Sequence, residues 1–100
     1  MNGKSLELKK FIRFSKGGIV SKVIWKGRSE ATLFCLSRGT ALSEHASSRE
    51  AHILVLKGRG SFKLGTKLVA LKPGAMISMP PKLRHALTAH SNLAFLLLLF

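Results

Sequence analysis

Few residues in this 100-residue chain can do chemistry: four histidines (His45, His52, His85 and His90), four glutamates (Glu7, Glu30, Glu44 and Glu50) and one cysteine, Cys35, with no aspartate or tyrosine. A catalyst needs an acid or base within hydrogen-bond reach of its substrate, or an activated nucleophile, and that supply is thin here. Histidine is the natural general base near neutral pH. Neutral imidazoles also hold iron, nickel, copper and zinc, and a facial set of two histidines and a carboxylate suits Fe(II) oxygen chemistry. No Ser-His-Asp arrangement, phosphate loop or dinucleotide fingerprint is present, so hydrolase, kinase and dehydrogenase readings fall away. Cys35, between Phe34 and Leu36, reads as a buried and inert thiol with no neighbouring charge to activate it.

Charge says more about partners than about chemistry. Against the four glutamates stand 17 lysines and arginines, a formal net charge of +13. Such an excess steers anions of every kind toward the chain, from small carboxylates to nucleic acid, without choosing among them. The basic residues never form a block of five, which is the pattern of a solvated face. A small basic β-barrel can stack single-stranded nucleic acid on exposed aromatics. Here Phe11, Phe14, Trp25, Phe34, Phe62, Phe95 and Phe100 mostly sit in apolar runs and read as core, so nucleic acid is the least favoured partner.

A lone cysteine forms no internal disulfide, and zinc-type cysteine spacing is absent. Met1 to Lys10 mixes lysines with single leucines and lacks the apolar run of a secretory signal. A cytoplasmic protein is the expectation. The apolar stretch Leu93 to Phe100 is far shorter than the roughly 20 residues a membrane span needs, so it reads as a buried strand and no membrane partner is expected.

The elements that must position these residues are short. Apolar, β-branched runs alternate with Gly and Pro, and no helix-length window carries an i, i+3, i+4 pattern. Strands are expected at Ile19 to Trp25, Ala31 to Leu36, His52 to Leu56, Ser61 to Leu64, Lys67 to Leu71, Ala75 to Met79, Leu83 to Ala89 and Leu93 to Phe100. Turn signals every eight to twelve residues between such strands mark a sandwich or barrel, and an all-β jelly roll fits best. Leu6 to Phe14 fits a strand by alternation or a helical turn by its Leu8, Phe11 and Ile12; it is taken as an added strand. The expected division is an N-terminal extension over residues 1–13 and one barrel domain over 14–100.

From Gly39 onward the order of residues resembles the cupin superfamily, small β-barrels marked by two consecutive motifs. Gly39, His45 and Gly58 occupy places of the first motif, and Gly74, Pro80 and His85 places of the second. Ser47 stands where the first motif has its second histidine, Ala51 at its glutamate, Lys82 at the second motif's inner glycine and Ala89 at its asparagine. Two of the usual four metal ligands are therefore missing. The stretches around His45 and His85 also look like stand-alone bacterial and archaeal cupins without an assigned activity.

The resemblance implies a cupin jelly roll in which His45 and His85 come from different strands and point into one end of the barrel. It implies a divalent iron, nickel, copper or zinc ion on that pair. Glu50 and His52 are the candidates for a third ligand. If Gly58 fixes the register, Ala51, Ile53 and Val55 face inward and the site is two histidines; a bulge before His52 would turn Glu50 or His52 inward instead. Ser47, Phe34, Phe62, Met79 and Arg84 are the expected pocket residues, Arg84 favouring an anionic ligand. The plainer alternative is that both histidines are hydrogen-bonded to Ser47, Thr88 or water and bind nothing. The functional expectation is a small barrel binding a small anionic molecule, through a metal or as a metal-free sensor module, with turnover undecided. Apolar edge strands, and the habit of the family, point to a homodimer.

Overall fold

The structure, a computed structural model, describes residues 3–100. Nine strands pair antiparallel throughout: β1 (Ile19–Lys26), β2 (Glu30–Leu36), β3 (Ala41–His45), β4 (Ala51–Lys57), β5 (Gly60–Leu64), β6 (Lys67–Leu71), β7 (Met76–Met79), β8 (His85–Ala89) and β9 (Leu93–Leu99). They form a five-stranded sheet I in the order β1-β2-β9-β4-β7 and a four-stranded sheet II in the order β3-β8-β5-β6. The all-β jelly roll expected from punctuation and alternation is what the chain forms. No helix among the described residues is long and apolar enough to cross a membrane.

Period-two patterning decides which side chains meet between the sheets. Along β4, Ala51, Ile53 and Val55 are buried while His52, Leu54 and Leu56 are half-buried on the other face. They join Phe62 of β5, Leu87 and Ala89 of β8, Ile77 and Met79 of β7, and Leu93 and Phe95 of β9 in one core. Phe34 stacks on Phe95 at 5.3 Å between ring centres. Strand β9 is apolar at nearly every position because both its faces are covered, which explains a leucine run that would be odd in a half-solvated strand. Its outer residue Ala94 lies in a second cluster with Leu33 and Cys35.

What covers that outer cluster is the N-terminal segment, and here the expected added strand is corrected. Leu8–Phe11 forms a single 3-10 turn, and Phe11, Ile12 and Phe14 pack against the outer face of sheet I. Lys22 lies 5.0 Å from the Phe11 ring centre and Lys57 lies 5.7 Å from that of Phe14, so lysine stems and heads complete the cover. Alternating apolar residues serve a strap as well as a strand when the need is to bury a face rather than extend a ladder. One edge of the sheet is instead β1, where Val23 and Trp25 stay 60% and 50% exposed.

The sequence reading also missed β3, whose Ala-Leu-Ser-Glu-His is mostly exposed and too polar to announce itself. Two loops join next to it. The backbone N–H of Lys82 donates to the Ser47 carbonyl at 2.7 Å, tying the Pro80-Pro81-Lys82 turn to the segment between β3 and β4. Lys82 adopts φ +71°, the left-handed region that a side chain enters at a cost. Replacing Lys82 with glycine is therefore expected to stabilise the fold by about 0.5 kcal/mol, the relieved strain being partly offset by a more flexible unfolded chain. A melting temperature a few degrees higher would show it, and an unchanged or lower one would refute it.

Candidate functional site

Strand β3 ends on His45 and β8 begins on His85, and the two residues are partners across the ladder. Their rings meet edge to face with centres 4.2 Å apart. His85 is buried and stacks parallel to Phe62 at 5.7 Å, while His45 is exposed. The pair stands at one wall of a cavity of about 60 Å³ whose other lining residues are Phe34, Leu42, Ile53, Phe62, Leu87, Phe95 and Leu97.

Local hydrogen bonds select the tautomer that each ring adopts when it is neutral. His45 Nδ1 lies 2.7 Å from the Ser43 carbonyl oxygen and His85 Nδ1 lies 2.9 Å from that of Leu83. A carbonyl oxygen only accepts, so each Nδ1 carries the proton and donates, and in the neutral ring Nε2 keeps its lone pair. This second contact, with the carbonyl two residues back along the chain, is the one that orients a metal-binding imidazole and fixes its tautomer. Burial pushes the His85 imidazole below its ordinary value, against the opposing pull of the Leu83 carbonyl, with His45 adding to the lowering.

The donor set stops there. Register in β4 runs without interruption from Ala51 opposite Met79 and Leu99 to His52 opposite Ser78 and Leu98, so there is no bulge before His52. Glu50 and His52, the candidates for a third ligand, are not brought to the histidine pair. They engage each other, His52 Nε2 to Glu50 Oε2 at 3.0 Å, with the His52 ring against Phe100. Among the described residues no group of three His, Cys, Asp or Glu side chains is placed to hold a metal ion. The remaining glutamates are occupied too: Glu7 with Lys10, Glu30 with Arg49, and Glu44 with Arg84 and Lys63.

Of the other expected pocket residues, Phe34 and Phe62 line the cavity. Met79 is buried in the core but does not reach it, because it sits on β7 at the level of Ala51. Arg84 is turned away and exposed, its Nε donating to Glu44 Oε1 at 2.8 Å. The guanidinium holds the Glu44 carboxyl below the usual carboxylate range. Adjacency to His85 suggested a pocket role for Arg84, but alternation along the chain puts neighbours on opposite faces. Ser47 Oγ accepts from the Arg49 backbone N–H at 3.0 Å and caps its own loop instead of the cavity. Leu42, Leu87, Phe95 and Leu97 were not singled out, since alternation shows which residues point inward and not at what height they meet. His90 follows β8, and its Nε2 lies 3.1 Å from Ser61 Oγ.

The chemistry on offer is thus two lone pairs at the rim of an apolar cavity. These fit two positions of a metal ion's shell and leave the rest to donors from outside the chain. A wider groove of about 390 Å³ lies elsewhere, between the N-terminal strap and sheet I, lined by Lys9, Ile12, Leu56 and Lys57. It contains no histidine, carboxylate or thiol.

Comparisons with known proteins agree with this architecture. The family described as the cupin domain matches residues 32–100. Among solved structures, a conserved protein of unknown function from Streptococcus pyogenes is 23% identical with a TM-score of 0.87, over 99% of this chain and 88% of that one. A cupin superfamily protein from Desulfitobacterium hafniense is 18% identical with a TM-score of 0.89, over 100% and 93%. An RmlC-like cupin from Desulfovibrio desulfuricans is 23% identical with a TM-score of 0.87, over 98% and 96%. At these identities the likeness is one of fold. Among curated proteins none matches.

Proposed function

The chain belongs to the cupin family, and from that premise we propose that it binds a small anionic molecule at the barrel mouth through a divalent iron, nickel, copper or zinc ion held by His45 and His85. The observation that carries this reading is the matched pair of Nε2 lone pairs set by the Ser43 and Leu83 carbonyls. A neutral imidazole whose Nδ1–H is engaged offers an anion no donor, so the pair by itself does not attract one. A bound metal supplies that attraction as a Lewis acid. His45 and His85 hold it; Phe62 fixes the plane of His85; the apolar wall of Phe34, Ile53, Phe95 and Leu97 keeps water from the inner side. The long-range field of the +13 chain concentrates anions near the surface.

Among the described residues no acid or base besides the two histidines lines the cavity, so binding is what the site supports. The test is metal loading. Protein incubated separately with each of the four ions, passed through gel filtration in a carboxylate-containing buffer and assayed for metal, is expected to retain about one ion per chain with at least one of them. Retention of none, together with thermal stabilisation by carboxylates alone, would replace this reading with a metal-free binding module.

A further inference from the structure

Lys9 and Lys57 line one groove on the outer side of sheet I, together with Ile12 and Leu56. Neither lysine meets a carboxylate among the described residues, because the four glutamates are engaged with Lys10, Arg49, His52, Lys63 and Arg84. The rim is therefore cationic and lacks a counter-charge. The floor is apolar: Ile12 and Leu56 pack against Leu33, Cys35 and Ala94. At about 390 Å³ the groove has the size of a small-molecule site, which the cavity of about 60 Å³ at the histidines does not. The strap that roofs it makes its own backbone bonds locally, Lys10 N–H to the Glu7 carbonyl at 3.1 Å and Ile12 N–H to that of Lys9 at 3.4 Å. Side chains hold it to the sheet, Phe11, Ile12 and Phe14 by apolar contact and Lys22 and Lys57 over the two phenylalanine rings. Apolar contacts are non-directional, so an aliphatic chain replaces them in kind where a polar guest would not.

We propose that this groove binds an anionic amphiphile, a single-chain aliphatic carboxylate whose head lies between the Lys9 and Lys57 ammonium groups and whose tail lies along Ile12 and Leu56 beneath the strap. Each half of the ligand answers one observation. The head supplies the negative charge that two neighbouring cations lack, and the tail covers apolar side chains that the strap leaves open. A short carboxylate would meet the lysines and leave the floor wet, and a polyanion such as nucleic acid would do the same. The site is separate from the histidine pair, which stands against the core between the sheets, and it needs no metal.

Equilibrium dialysis with radiolabelled decanoate, in EDTA, at physiological salt and below the concentration at which decanoate forms micelles, tests this. One saturable site per chain is expected. Octanoate, shorter by two methylenes, should bind about three- to tenfold more weakly, a fully buried methylene being worth about fourfold, and acetate should not compete. Lys9→Glu and Lys57→Glu should each weaken decanoate binding about tenfold or more. Lys67→Glu makes the same charge change on exposed β6 of sheet II and should alter binding by less than about twofold, which separates the groove from the general field of the +13 chain. Equal losses in all three lysine variants would assign binding to net charge, and loss in His45→Ala with retention in Lys57→Glu would assign it to the barrel mouth; either overturns the proposal. So does the lack of a saturable decanoate site, whether or not the chain binds phosphatidylglycerol vesicles. Should Lys57→Glu unseat the strap through its contact with Phe14, the exposed Lys9→Glu decides.

Discussion

Gly58→Ala is expected to remove most of the folding stability, about 4 kcal/mol or more, whereas Gly39→Ala costs about 1–2 kcal/mol. Both glycines have left-handed backbones, φ +88° and +86°, so the intrinsic penalty for a side chain is the same. Their surroundings differ. A Cβ on Gly39 meets nothing within 4 Å, while one on Gly58 collides with the Asn92 carbonyl oxygen and lies 2.8 Å from its carbon and 2.9 Å from Leu93 Cα. These are backbone atoms and cannot swing aside. They also belong to a stitched junction: the backbone N–H groups of His90 and Ser91 donate to the Arg59 carbonyl at 2.9 and 3.2 Å, and the Arg59 N–H donates to Ser91 Oγ at 2.9 Å. Making room for a methyl group at residue 58 means opening the contact between the β4–β5 and β8–β9 turns. Urea denaturation of the two variants side by side measures the difference, and equal losses would show that backbone conformation alone sets the cost.

The second large effect is on the proposed metal site. If that site holds an ion, His45→Ala and His85→Ala should each lower its affinity by about 100-fold or more, because each would remove one of the two donors found among the described residues. The two variants part company in stability. His45 is exposed, and its loss should be nearly neutral. His85 is buried against Phe62, so its truncation leaves a hole and is expected to cost about 1–3 kcal/mol. His85 also sets a pH dependence. Its folded-state pKa lies below the ordinary value of 6.5, so on acidification the unfolded chain takes up this proton first. Stability must then fall as pH drops below 6.5 toward the lowered value and level off beneath it. Unfolding curves at pH 7.5 and 5 should show that loss in the parent chain and a smaller one in His85→Ala; equal slopes would assign the titration to another group.

How much of this could be read without coordinates differs from element to element. Alternation put Ala51, Ile53 and Val55 on one face of their strand and His52 on the other, and Gly and Pro gave the turns, because those signals arise from local geometry. The histidine pair was legible only through likeness to a known pair of motifs, since nothing local says that residues 45 and 85 are ladder partners. The place of Glu50 and His52 could not be decided, because a one-residue slip turns a whole strand over. Only the continuous register of Ala51 to Leu54 against both β7 and β9 resolves it. Arg84 was misplaced for the opposite reason: its outward direction was available from alternation with His85, but charge near a pocket was given more weight than period. The strap over sheet I was hidden because it uses apolar side chains without using the ladder.

Strand β9 lies at the centre of sheet I, between β2 and β4, although it follows the other eight strands among the described residues. During synthesis the ribosome therefore delivers the neighbours first and the strand that joins them last. Until Leu93–Leu99 emerges, the facing edges of β2 and β4 have nothing to pair with, and the apolar residues they present wait in a nascent chain. Folding of sheet I is thus tied to the end of translation of this region, and a chain stalled near Asn92 is an open, edge-exposed species of the kind that chaperones bind and that aggregates when they do not.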